Sequence, residues 1–573
     1  FGVTVAASVA ISGFVALTLA PMMCARLVRP AAAEHGIKLW LEHSLEHLTA
    51  GYRRLLVVAL AHRRACLVFG VAWFVFGLWL LQVAPREFVP TADRGNILVL
   101  TESPEGSTLT DTDRYQRQVE EIVLTAPDVD KGFSVVALGN QGPGVVNQGA
   151  MFVTLSPWEH REHSQQAIVG GLFPRLHRVA GMLAFPINPP SLGTSFDATP
   201  VSLVVQGPEV EQLARFANDI VTGAKELPGF VNVRSDLVLN KPQLVVDIDR
   251  NRAADLGVSV RAIASTLQIL LGGLDLSTFK LDGETYKVMV QLEKAFRRRP
   301  GELLGLYVRG KNNDLIPLQS VVRVRESTAP RGLPHFDRLR SATLSATLLP
   351  GVPLGASLES IKRLATEIIG GAPGYRLTFS GESEDFYESG NALAFAYLLA
   401  IVIIYLVLAA QFESVWHPGV LMIAVALSFT GALLTLRLTG NTLNLFSQIG
   451  LVMLIGLVTK NSILIVEFAN QLREQGRDLM SATLEASVTR FRPILMTAIA
   501  TVVGILPIAI GSGAGGELRA PLGVAVAGGM VFSTVLTIFV VPAAYLALEQ
   551  VRGRVRREDV AVPSPVAEAR RSA

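Results

Sequence analysis

Lys460, Asn461 and Glu467 lie inside one apolar run, QIGLVMLIGLVTKNSILIVEFANQ, from Gln448 to Gln471. A bilayer span needs about 20 mostly apolar residues, and this run is long enough. A charged side chain at mid-bilayer costs roughly 2.5–3.5 kcal/mol, so Lys460 needs a partner, a water-filled path or a route to the interface. Lys460 and Glu467 are seven residues apart and face within about 20° of each other on a helix. They stand roughly two turns apart along the axis and cannot touch. Lys460 therefore calls for a carboxylate on another span. No other apolar run carries Asp or Glu in its interior. The chain reads as holding one half of an intramembrane ion pair. A lysine snorkelling to the membrane face is the competing reading. Glu467 reads first as an interfacial or structural carboxylate rather than a proton carrier.

The elements that must position these residues follow from composition and patterning. Half of the 573 residues are hydrophobic and only 17% are charged. That balance fits a membrane bundle joined to a sizeable aqueous domain. The net charge of +3 is too small to suggest nucleic acid. Cys24 and Cys66 both sit at or beside apolar segments, so neither a disulfide framework nor a cysteine metal site is expected. The first residue, Phe1, already stands inside an apolar run, and the chain is expected to begin in mid-protein.

Residues 1–28 read as a span. Residues 38–60 place Leu41, Leu45, Leu48, Tyr52 and Leu55 at helical spacing, which reads as a helix along the membrane surface; packing against another domain is the alternative. Arginines between Arg26 and Arg64 put the 29–64 loop in the cytoplasm. A second span is expected at 65–83. Five more are expected at about 391–409, 418–437, 444–468, 493–511 and 520–547. Arg473, Arg477, Arg490 and Arg492 mark the 470–492 loop as cytoplasmic, and Arg552 to Arg557 mark the tail likewise. That tail, 548–573, is expected to be disordered from 558 onward.

Between the second and third spans the pattern is α/β. Strands at 96–103, 133–138, 150–156 and 182–187 enclose helices at 110–125 and 164–179. The order β-α-β-β-α-β is the split βαβ, ferredoxin-like unit. A second copy is expected in two pieces. Strand 201–207, helix 208–226 and strand 230–237 form the first. Strand 340–350, helix 355–369 and strand 375–381 form the second. The insertion, about 240–332, reads as a separate subdomain with a helix at 259–270 and a hairpin at 274–292. The glycine-rich stretch 139–149 has no following Lys-Ser/Thr, so it reads as a mobile loop between strands rather than a P-loop.

The stretch GLVTKNSILIVEFAN resembles the signature span of the resistance–nodulation–division superfamily, and TRFRPILMTAIATVVGILPIAIGSGAG resembles its next span. LAPMMCARLVRP, REFVPTADRG, LVVDIDRNRAADLGVS and LAAQFESVWHP resemble other recurrent stretches of that family, in the right order and over nearly the whole chain. The group it is most similar to is the hydrophobe/amphiphile multidrug exporters of Gram-negative inner membranes.

The resemblance implies an α-helical membrane bundle of about seven spans and a large periplasmic α+β region. That region would hold two ferredoxin-like porter subdomains, 86–191 and 192–239 with 333–388, and a docking subdomain at 240–332. Spans would occupy 391–547. The chain would be the last span of the first repeat and all of the second. The implied activity is drug/proton antiport by a homotrimer that meets a periplasmic adaptor protein and an outer-membrane channel. Its substrates would be amphiphilic small molecules and protons. No cofactor, metal or enzymatic activity is expected.

In the family, two Asp residues of the first repeat pair with the lysine that matches Lys460. Asn461 adjoins it, and Arg490 and Thr497 match other relay positions. The Asp-bearing span is not in this sequence, so the lone chain is expected not to complete a proton cycle. A non-transporting remnant, or a half-transporter that borrows a separate first half, is the competing expectation. Arg490 fits a positive-inside anchor as well as a relay, and Thr497 fits an ordinary helix hydroxyl as well. The family's substrate pocket is lined by aromatics, which makes Phe133, Phe152 and Phe185 the candidates; each also fits an ordinary core role. Methionine is sparse and unclustered in the middle region, against a metal-exporting branch that would use soft sulfur ligands.

Overall fold

A computed structural model describes residues 2–27, 37–138, 145–189, 199–311, 313–330, 332–349 and 351–561. Most of the glycine-rich loop, 139–144, and the end of the tail, 562–573, lie outside the described residues.

Helix α1 (Gly2–Leu27) is largely apolar up to Arg26 in its last turn, and none of its residues is buried. Helix α2 (Ile37–Ala61) packs through its second half. Tyr52, Leu56 and Leu60, at i, i+4 and i+8, are buried with Ile465, Phe491, Ile494 and Ile538. Leu48 and Leu55, which helical spacing also puts on an apolar stripe, are exposed beside that face. Helix α3 (Arg63–Val83) leads to the α+β region.

Strands β1 (Asn96–Glu102), β2 (Val129–Val136), β3 (Gln148–Leu155) and β4 (Leu183–Ile187) alternate with α4 (Leu109–Leu124) and α5 (Gln165–Leu176) as β-α-β-β-α-β. They form one antiparallel sheet in the order β2-β3-β1-β4. Helix α4 starts where the Thr108 side chain accepts from the Asp111 amide, and it buries Thr112, Gln116, Val119 and Val123 as one stripe. Period-two alternation in β1 sends Ile97 and Val99 to the helices and Leu98 and Leu100 to the opposite face.

The same order recurs with an interruption. Strand β5 (Val201–Gln206), α6 (Val210–Glu226) and β6 (Phe230–Ser235) precede the insertion. The insertion begins with β7 (Lys241–Ile248), α7 (Arg250–Asp255) and α8 (Val260–Leu267). It continues with β8 (Leu274–Leu281), β9 (Glu284–Val290), β10 (Tyr307–Arg309), β11 (Leu315–Pro317) and β12 (Val322–Ala329). Strands β8 and β9 form a hairpin whose two turn residues, Asp282 and Gly283, both have positive φ, 51° and 86°. That geometry matches the twist of the flanking strands, and the Asp-Gly pair admits it. The insertion has its own core around Ile263, Val308 and Leu318.

Strands β13 (His335–Phe336), β14 (Leu339–Leu348) and β15 (Arg376–Phe379), with α9 (Leu354–Ile369), complete the second sheet. Its order, β6-β14-β5-β15, repeats that of the first. Leu213, Ala217 and Ile220 of α6 and Leu358, Ile361 and Ala365 of α9 cover one face.

Five long helices follow: α10 (Glu382–Gln411), α11 (Trp416–Leu438), α12 (Leu445–Glu474), α13 (Leu479–Ile510) and α14 (Gly516–Ala561). With α1 and α3 they make seven helices, among the described residues, long and apolar enough to cross a membrane. The bundle centres on α11, α12 and α14, which share buried Leu421, Ala424, Leu454, Val458 and Ala525. Small residues allow close approach: a side chain at Gly523 would strike the backbone of Ala509. The α+β region joins the bundle through a short backbone ladder. Leu443 N–H donates to Pro85 O at 2.8 Å, Glu87 N–H to Leu443 O at 3.2 Å and Leu445 N–H to Phe88 O at 3.1 Å.

Candidate functional site

Helix α12 is started by Asn444, whose side chain accepts from Ser447 N–H at 3.0 Å while Ser447 Oγ accepts from Asn444 N–H at 2.8 Å. The helix then runs 30 residues, and Lys460 stands near its middle. Leu451, Leu454, Val458, Ser462 and Ile465 face the bundle interior and fix the rotation of the helix. Lys460 falls on the exposed side, with no ion pair among the described residues. Asn461, one residue on, is 2% exposed, and among the described residues its Nδ2 has no hydrogen-bond partner; nor has the buried Oγ of Ser462. Glu467 accepts from Gln471 Nε2 at 3.1 Å, one turn further along the same helix.

Helix α13 contributes the other two relay candidates. The Arg490 guanidinium stacks over the Phe468 ring of α12 at 4.7 Å, and its Nε is buried without a hydrogen-bond partner among the described residues. Thr497 is half-buried; its Oγ1 donates to Ile494 O at 3.1 Å, within its own helix. The fold thus brings Arg490 against α12 through Phe468. Among the described residues no hydrogen bond or ion pair joins any two of Lys460, Asn461, Arg490 and Thr497. Helix α12 thus carries an exposed cation followed in sequence by a buried amide and a buried hydroxyl that lack hydrogen-bond partners among the described residues. Such a set can stabilise a carboxylate, and so govern its protonation, once a carboxylate is brought to it.

The three phenylalanines share the first sheet's face opposite α4 and α5. Register pairs Phe133 with Phe152, Phe152 with Leu98, and Leu100 with Phe185. The Phe133 and Phe152 rings stack with centroids 6.2 Å apart, and Phe133 is 66% exposed. Phe185 lines a cleft of about 1340 Å³ between the two sheet subdomains; the Phe133 and Phe152 side chains lie outside that lining. The cleft wall mixes charges, with Glu102, Glu211, Asp219 and Asp236 against Arg215, Lys225 and Arg234.

Several polar constellations were not legible in the sequence, because their partners are far apart along it. Arg234 reaches across the cleft to Glu102 at 4.0 Å. Asp93 and Arg161 form a buried pair at 2.7 Å. His163 has its Nδ1 2.8 Å from Asp128 Oδ2, and this hydrogen bond holds the Asp128 carboxyl below the usual range. Glu87, beside the membrane junction, is pushed up by burial, which the hydrogen bond from Thr442 Oγ1 only partly offsets. The signal available was indirect: Glu87 and Asp93 sit in REFVPTADRG, one of the family-like stretches. Among the described residues no group of three or more His, Cys, Asp or Glu could hold a metal ion.

The family model for AcrB/AcrD/AcrF matches residues 1–549. An uncharacterized transporter of Haemophilus influenzae is 31% identical over 95% of this chain and 53% of its own length. The multidrug/solvent efflux pump membrane transporter MepB of Pseudomonas putida is 30% identical over 99% of this chain and 55% of its own. The probable efflux pump membrane transporter TtgB of Pseudomonas putida matches to the same extent. The chain spans about half the length of the curated relatives it matches. With seven apolar helices, a twice-repeated sheet topology and a family match over nearly its whole length, the chain belongs to the AcrB/AcrD/AcrF family of resistance–nodulation–division transporters.

Proposed function

We propose that this chain is part of a proton-driven exporter of amphiphilic compounds. The observation that carries the reading is Lys460: a cation near the middle of a spanning helix, exposed on the bundle surface, with no carboxylate paired to it among the described residues. A cation so placed is costly unless another segment supplies the acid, and an acid beside it titrates in response to its movement. Asn461 and Arg490 carry the orphaned polar atoms that would complete such a relay, and Thr497 follows Arg490 by two turns.

In this reading the bundle lies in a Gram-negative inner membrane and the α+β region faces the periplasm. The arginine-rich ends of α12, α13 and α14 then face the cytoplasm, in keeping with the positive-inside rule. The two sheets would be ferredoxin-like porter subdomains and the 240–332 insertion a docking subdomain. The assembly would be a homotrimer with an adaptor and an outer-membrane channel. Phe133, Phe152 and Phe185 would present an apolar, stackable face to substrate, and the mixed-charge cleft would take its polar end. The multidrug and solvent efflux named for MepB favours substrates of that kind.

The test is export of an amphiphilic dye by a full-length transporter carrying Lys460→Ala. Loss of export with intact membrane assembly is expected. Normal export by that variant would overturn the assignment.

A further inference from the structure

The end of the bundle remote from the α+β region holds an ionic cluster that the relay does not use. His417, the second residue of α11, is 7% exposed. Its Nε2 lies 3.2 Å from Oε1 of Glu549 on α14. The same carboxylate accepts from Arg473 Nη1 of α12 at 2.6 Å and from Arg552 Nη1 at 3.0 Å. Arg473 also donates to the Tyr545 hydroxyl at 3.2 Å, and that hydroxyl donates to Asn470 Oδ1. The imidazole adjoins the rings of Phe412 and Tyr545, each centroid 6.0 Å away. Its Nδ1 is buried and has no hydrogen-bond partner among the described residues.

One carboxylate therefore holds three helices together, and one of them, α12, carries Lys460 and Asn461. The groups facing His417 are Glu549, Tyr545 and Arg552 of α14, and Arg473 and Asn470 of α12. They set the consequence of adding a proton. With neutral His417, Nε2–H donates to Glu549 and Nδ1 leaves only a lone pair unmet. With imidazolium, Nδ1–H becomes a buried donor without an acceptor, the more costly omission. The new charge also joins two arginines around a carboxylate that can neutralise only one of them. Protonation strengthens the single bond to Glu549 but opposes everything else in the cluster.

We propose that His417 is a proton-operated latch: neutral, it clamps α11 to α14 and, through Glu549 and Arg473, to α12; protonated, it releases α11. Imidazole suits this work because it is the side chain that gains and loses a proton near physiological pH. The proposal rests on the functional reading above only in placing this end of the bundle in the cytoplasm. There, acid delivered by proton influx would loosen α11 from α14 and from α12, the helix that carries the relay lysine.

The latch itself is tested without transport. Amide hydrogen exchange of the first turns of α11 is followed in the whole chain in lipid nanodiscs and corrected for intrinsic exchange rates. Between about pH 8 and about pH 5.5, spanning the imidazole range, exchange there should rise in the wild type. The expected rise is about fivefold or more, the scale of one lost buried hydrogen bond. His417→Gln keeps a donor for Glu549 but cannot take the proton, and its exchange should stay flat. Arg552→Gln removes one competing cation and should shift the opening to lower pH, which keeps the test informative if the first variant folds poorly. Equal pH responses in wild type and His417→Gln, or slower exchange in acid, would overturn the latch. A full-length transporter that exports nothing at any pH would overturn the transport reading and leave the exchange result standing.

Discussion

The Arg161 guanidinium lies 2.7 Å from the Asp93 carboxylate, with the two side chains 1% and 0% exposed. Asp93 Oδ2 also accepts from Gln165 N–H at 2.7 Å and Oδ1 from Gly95 N–H at 3.1 Å. Gln165 Oε1 in turn accepts from the amides of Arg94, Gly95 and Asn96. This node fixes the segment through which the chain leaves α3 and enters β1. Replacing one member strands a buried charge, whereas removing both does not. Arg161→Leu should therefore cost about 3–5 kcal/mol of stability in the α+β region. Asp93→Asn combined with Arg161→Leu should recover part of that loss. Denaturant unfolding followed by limited proteolysis of the α+β region checks both.

Tyr52 lies flat on Phe491, with ring centroids 4.4 Å apart, and its hydroxyl donates to Ile538 O at 2.8 Å. Tyr52→Phe keeps the stack and loses the bond, at about 1 kcal/mol. Tyr52→Ala empties a buried aromatic site and should cost about 3–5 kcal/mol, enough to loosen α2 from α13 and α14. Protease cleavage at Arg53 and Arg54, together with the melting temperature, reads the difference.

Two glycines in the bundle should respond in opposite ways. A Cβ at Gly523 would meet the Ala509 backbone, which cannot give as a flexible side chain can. Gly523→Ala should therefore cost about 1–3 kcal/mol or more, by forcing α13 and α14 apart. At Gly456 nothing lies within 4 Å of the added atom. Gly456→Ala should be neutral, or stabilising by about 0.5–1 kcal/mol through lower backbone entropy in the unfolded chain. Melting temperatures in one detergent compare them directly.

The carboxyl of Glu87 is raised chiefly by burial, and the Thr442 hydroxyl only partly counters this. Between its unfolded and its folded pKa the native state holds a proton that the unfolded state has released. Stability contributed at this site is therefore fully present below the unfolded pKa, about 4.3. It is lost as pH rises through the higher folded value. Glu87→Gln should flatten that dependence and raise stability near neutral pH relative to wild type. Thermal unfolding of both proteins from acid to neutral pH checks the sign.

How much of this was legible follows from where each signal resides. The spans were readable because a bilayer imposes length and apolarity on contiguous residues, as in α10 to α14. The repeated β-α-β-β-α-β order and the Asp282-Gly283 hairpin were readable because strand alternation, capping residues such as Thr108 and turn residues act over a few positions. Lys460 stood out because one charge in an apolar run is costly wherever the rest of the fold lies.

Tertiary structure alone decided which way these elements face and what meets what. It turned Lys460 outward and Asn461 inward. It laid Phe133, Phe152 and Phe185 on one sheet face while putting only Phe185 in the cleft, and it buried Leu56 rather than Leu55. It also brought Arg161 to Asp93 and Arg473 to Glu549 across 68 and 76 residues of chain. The physical reason is range. Hydrophobic period and backbone propensity act over a turn or two of the chain. Ion pairs and close helix contacts depend on which surfaces pack together, and that is settled only when the whole core forms.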